Sequence, residues 1–275
     1  MKSFLNRQPI KSFFFLTFLL SWGGVLLLGA PSGMPAPQEV FKERYPIVFL
    51  PYLLGPLVSG LFMIAVTSGK MGLQALFSRL LHWRISWRWY AAALLTAPLL
   101  TLVLLLIFSL FNPAYLPAIF TSGGKGTLLL TGVMVGLFGG GLMEEPGWTG
   151  FALPQIKKQR DLLASGLIIG FVWGVWHILP TYWGSGDAGG ALSLPLLIPP
   201  LVFYLAVLPA YRVLMVWLHE CTESLLIVML SHASLTASSL FILAPGVTGY
   251  AFLPYYLVLA VVFWIGVYLI RRAAL

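Results

Sequence analysis

Charge is what this chain has least of. Asp, Glu, Lys and Arg make up 9% of its 275 residues and only eight side chains are acidic, against a hydrophobic fraction of 59%. A soluble domain of this length needs far more polar surface, so the shortage excludes one and points to an integral membrane protein. One cysteine, Cys221, excludes an internal disulfide and a cysteine metal cluster, which leaves helix packing to hold the fold. No repeat of fixed period and no polar linker divides the chain, so a single multi-pass domain over residues 1–275 is expected.

What the chain has instead is long apolar sequence. Runs at roughly 12–30, 47–68, 89–111, 127–150, 161–180, 194–217, 223–244 and 250–270 are long enough to span a bilayer core, and predict an all-α bundle of about eight transmembrane helices. The first run has the charged start of a signal peptide, but Pro31 directly after Ala30 is a poor cleavage context, so it is read as a retained span. With both termini cytoplasmic, all of the 16 Lys and Arg except Lys42, Arg44 and Lys125 fall inside, Lys2 and Arg212 included. That bias follows the positive-inside rule in a cell membrane and explains the basic character without a nucleic-acid partner. Residues 70 to 90 interleave Arg79, Arg84 and Arg88 with Leu and Trp, the pattern of an amphipathic helix on the cytoplasmic surface of the lipid. Pro195, Pro199, Pro200 and Pro209 predict a kinked sixth span, and the Gly-rich stretch 181–193 an outer loop.

Against that background Glu144 and Glu145 stand out, side by side in the run GVMVGLFGGGLMEEPGWTGFALP. A charged side chain at mid-bilayer costs about 2.5–3.5 kcal/mol on insertion scales, so a diacid there needs a function or a partner. Gly132, Gly136 and Gly140 form a ladder that leads to Glu144; Gly166, Gly170 and Gly174 form another that leads to His177. Small residues at this spacing bring helices close, which places both polar residues at packing seams. Glu144 and His177 each lie about sixteen residues from Arg160, roughly 24 Å along a helix, so antiparallel neighbours would set them side by side. Pro146 predicts a kink or restart at the diacid. In the seventh span His232 and Thr236 share a helical face, with Ser239 beyond them. The HECTE segment from His219 to Glu223 is read as a helix junction and cap on the charged side.

A carboxylate and two imidazoles suit two chemistries. One is general-base activation of water by Glu144, with His177 sharing the proton and His232 donating to an oxyanion. The other is a zinc site in which Glu144, His177 and His232 leave a fourth position for water. Either ends in hydrolysis. Buried acids and histidines also relay protons in transporters, but inverted repeats and paired broken helices are missing from the sequence.

The stretch GLMEEPGWTGFALP resembles the EExxxR motif of the CPBP intramembrane proteases, the CAAX prenyl protease or Abi family; FVWGVWHILP resembles its FxxxH motif and LLIVMLSHASLT its HxxxN motif. The similarity extends over about residues 70–245. It implies an eight-helix membrane fold and hydrolysis of a peptide bond in a membrane-associated peptide or protein. Glu144 would be the catalytic base, His177 its partner and His232 an oxyanion donor, with Glu145 and Thr236 at the remaining motif positions; members are often described as metalloproteases. Thr149 stands where the motif has Arg, Trp173 where it has Phe, and Thr236 where it has Asn. The Trp change reads as mild, whereas Thr149 leaves Glu145 either uncharged or paired with a cation from elsewhere. Adjacent helical positions point about 100° apart, so the two carboxylates are not expected to face one site. The alternative to an enzyme is a catalytically impaired homologue acting as an immunity protein or peptide-binding scaffold.

Overall fold

The structure, a computed structural model, describes residues 2–273. Met1, Ala274 and Leu275, the ends of the expected domain, lie outside the described residues, as does the side chain of Lys2. Among the described residues the regular structure is helical, apart from two isolated bridges, Pro117 with Pro245 and Gly186 with Leu192. Eight helices of the described residues are long and apolar enough to cross a membrane: Pro9–Ser32, Gln38–Leu80, Trp87–Ser109, Lys125–Ile156, Leu162–Trp183, Leu194–Thr222, Leu225–Ile242 and Gly249–Arg272. Each overlaps one predicted run, and they are called the first to eighth spans in that order. Side chains such as Leu27, Leu130 and Val261 face outward, as lipid rather than water requires.

The connections gather at two ends. At one, Ser224 Oγ donates to the His82 carbonyl at 2.8 Å and Lys157 pairs with Glu220. At the other, Gln38 Nε2 donates to the carbonyls of Gly184 and Gly186 at 2.9 and 2.7 Å, and Ala118 N donates to Ala244 O at 3.1 Å.

Two local expectations change. The surface helix over residues 70–90 is shorter than expected: the second span turns at Gly69, continues as helix to Leu80, and gives way to an irregular stretch before Trp87 opens the third span. Gly69 has φ 59°, which glycine alone adopts without steric cost, and this residue sets where the chain turns. Pro146 does not break the fourth span. The helix winds continuously through it, with π-helical turns at Val135–Leu142 and Trp148–Ala152 on either side, so the missing proline N–H is absorbed by a wider winding. In the sixth span Pro199 and Pro200 are likewise followed by a π turn, Phe203–Val207.

The glycine ladders pack as seams, but against other partners than each other. A Cβ on Gly136 would meet the Ala233 backbone, and one on Gly140 would lie 2.7–2.8 Å from His232 and Thr236, so the fourth span rests on the seventh. A Cβ on Gly166 or Gly170 would come within 2.8 and 2.6 Å of the Val213 and Pro209 Cα atoms, so the fifth span rests on the sixth. The antiparallel contact expected between Glu144 and His177 is therefore not made by the ladders. On its far side the diacid turn meets the second span, where a Cβ on Gly60 would lie 2.7 Å from Gly147 Cα.

Candidate active site

Helical spacing places Trp148 one turn after Glu144 and Thr149 one turn after Glu145, and both neighbours bond back. Trp148 Nε1 donates to Glu144 Oε2 at 3.2 Å, and Thr149 Oγ1 donates to Glu145 Oε2 at 2.5 Å. Trp173, from the fifth span, adds a second indole donor to Glu144 Oε2 at 2.7 Å. Both carboxylates are buried, at 3% and 0% exposure. Two donors on Oε2 leave Oε1 as the oxygen of Glu144 free for chemistry.

His232 joins the two acids. Its Nδ1 lies 2.7 Å from Glu145 Oε1 and its Nε2 3.9 Å from Glu144 Oε1. The carboxylates therefore do meet one residue, contrary to expectation: the imidazole lies across the diacid and offers one nitrogen to each, so the side chains need not point the same way. Close approach of the seventh span at Gly140 puts the ring there.

The cation for Glu145 is Arg212. Its Nη1 donates to Glu145 Oε2 at 2.8 Å, and both side chains are fully buried. The guanidinium also lies over the Trp173 ring, 4.2 Å from its centroid, while Nε and Nη2 find no hydrogen-bond partner among the described residues. Arg212 is thus not one of the cytoplasmic surface charges. It comes from the sixth span, and Gly170 admits it, since a Cβ there would lie 3.1 Å from Arg212 Cβ. A lone arginine inside the predicted run 194–217 was the available signal, because an intramembrane charge requires a partner.

His177 closes the fifth-span α-helix and does not touch Glu144: among the described residues no hydrogen bond or ion pair joins them. Its Nδ1 donates to the Trp173 carbonyl at 2.8 Å, and its ring stacks on Tyr204 with centroids 4.3 Å apart. Glu144, Trp173, His177, His232 and Thr236 do line one cavity of about 320 Å³, whose remaining wall is mostly aromatic and aliphatic. This size is at the lower end of the range for small-molecule sites, about 300–1,000 Å³.

The zinc alternative fits these residues poorly. Among the described residues no three His, Cys, Asp or Glu side chains cluster as metal ligands, and Glu144 Oε2 is occupied by two indole donors. HECTE ends the sixth span, with Glu223 in the left-handed conformation after the helix, as a junction should be.

A family model described as type II CAAX prenyl endopeptidase Rce1-like matches residues 125–238, which include Glu144, His177, Arg212, His232 and Thr236. A protein of Methanococcus maripaludis named CAAX prenyl protease 2 is 21% identical over 168 residues, covering 61% of this chain and 60% of that protein. The chain thus spans about 60% of the length of the curated relative it matches. Together with the Glu, His and His positions of the three motifs, these matches support a place for the chain in the CPBP family of intramembrane proteases.

Proposed function

We propose that this chain is a membrane-embedded endopeptidase in which Glu144 activates water against a peptide bond held in the cavity. The observation that carries the reading is the position of Glu144: one oxygen is held by two indoles, and the other faces His232 Nε2 at 3.9 Å on the cavity wall. Water between Oε1 and the substrate gives its proton to Glu144 as its oxygen attacks the carbonyl carbon, and the same proton passes to the amide nitrogen as the C–N bond breaks. Thr236 Oγ1 and, when protonated, His232 Nε2 both lie against Gly140, each 2.8 Å from where a Cβ would stand, and donate to the oxyanion. With Nδ1 committed to a carbonyl, His177 keeps Nε2 for the water or the substrate. Glu145 and Arg212 act through His232 and are positioning residues.

Comparison of purified wild type with Glu144→Gln on quenched fluorescent apolar peptides in detergent micelles tests this. Cleavage by the wild type and a loss of at least a hundredfold in the variant is expected; equal rates would end the enzymatic reading. The alternative of a non-catalytic scaffold had two grounds, Thr149 and Thr236, and Arg212 weakens the first by pairing with the acid that Thr149 leaves without an arginine.

A further inference from the structure

We infer that the cavity takes an apolar, uncharged polypeptide segment presented from the membrane face opposite the basic one. The chemistry rests on the endopeptidase reading, whereas the direction of access rests on packing and charge.

On one side of the site the bundle is closed. Trp148 and Phe13 are fully buried with ring centroids 5.5 Å apart, Phe13 meets Phe151 at 5.3 Å, and Arg212 with Glu145 fills the level below His232. All of these lie between the site and the end that carries Lys157, Lys158 and Glu220. On the other side the cavity runs past His177 and Tyr204 to Phe41, Gly184 and Leu196, at the ends of their helices nearest the opposite connections. Glu144 is roughly 18 Å along the helix from Ile156 and roughly 28 Å from Lys125, so the cavity reaches deep from the far face.

Charge tells the two faces apart. At the open end Lys42, Arg44 and Lys125 are balanced by Glu39, Glu43 and Asp187. Leaving out the buried Arg212, the other 12 Lys and Arg gather at the closed end with only Asp161, Glu220 and Glu223 against them. The positive-inside rule makes the closed end cytoplasmic, and the cavity then opens outward. Its aromatic lining and the zero net charge of the open end select neither a cationic nor an anionic segment.

The single cysteine makes a direct test practical, because Cys221 is exposed at the closed end. The full chain is expressed in cells and treated with a membrane-impermeant sulfonated maleimide, before and after permeabilisation. Three forms are compared: wild type, Cys221→Ser with Leu196→Cys in the cavity, and Cys221→Ser with Gly189→Cys in the exposed loop as a reporter that does not depend on cavity packing. Both introduced cysteines are expected to label in intact cells, and Cys221 only after permeabilisation. Labelling of Cys221 in intact cells, or of the introduced cysteines only after permeabilisation, overturns the inference. A quenched apolar peptide added outside the same cells separates the two readings. Equal cleavage by wild type and Glu144→Gln sinks the protease while labelling still decides the side.

Discussion

Removing one partner of the Arg212–Glu145 pair should cost far more than removing both. Each side chain is fully buried, the contact is 2.8 Å, and two guanidinium nitrogens have no other hydrogen-bond partner among the described residues. Leaving such a charge uncompensated typically costs about 3–5 kcal/mol, whereas replacing a whole buried pair by neutral groups is often close to neutral. Arg212→Leu and Glu145→Gln should therefore each destabilise the protein by about 3–5 kcal/mol, and the double variant by much less than their sum. Single losses of about 3–5 kcal/mol with a nearly neutral double variant amount to a coupling of about 6–10 kcal/mol. Reversible unfolding in mixed micelles measures the stability term for all four proteins, and peptide cleavage by the same preparations measures activity. Glu145 also holds His232 Nδ1, so Glu145→Gln should remain slow in the stable double variant. Additive single effects, or Arg212→Leu no less stable than wild type, would refute the reasoning that Arg212 serves chiefly to neutralise Glu145.

Other substitutions probe the same arrangement from different sides. Thr149→Arg in the Arg212→Leu background places a guanidinium one helical turn after Glu145 and should recover at least half of the lost unfolding free energy; no recovery would show that a cation must come from the sixth span. Trp173→Phe removes the 2.7 Å indole donor to Glu144 and the face beneath Arg212, with an expected loss of about 1.5–3 kcal/mol, read as a tenfold or greater drop in kcat/KM; an unchanged value would make the tryptophan a mere filler. Gly140→Ala puts a Cβ within 2.8 Å of His232 and Thr236 and should depress kcat at least tenfold, while Gly139→Ala, whose nearest neighbour would be 3.5 Å away, should leave both kcat and expression near wild type. Equal behaviour of these two alanines would argue against a tight seam between the fourth and seventh spans.

Two parts of the site were legible in the sequence and two were not. Glu144 stood out as an acid at the end of a glycine ladder and His232 as an intramembrane histidine on one face with Thr236, and His232 Nε2 lies 3.9 Å from Glu144 Oε1. His177 was legible as a site residue but not its contacts, because the fifth-span ladder packs on the sixth span rather than the fourth. Trp173 read as a mild change from phenylalanine, since sequence does not reveal that its N–H is aimed at Glu144. Arg212 was placed among surface cations by counting charges, although its position inside an apolar run pointed inward.

Composition and hydropathy set the solvent of the fold, the number of spans and which side chains were too costly to be idle. These follow from transfer free energies and periodicities that every residue carries with it. Tertiary structure alone decided which of those side chains meet. The partner of Glu145 comes from 67 residues away on another helix, and it arrives there because Gly170 lets two backbones close to a distance that no larger residue permits. A local motif places a charge one turn away, but a packed bundle can supply the same charge from any helix whose seam reaches the site. Only the packing says which.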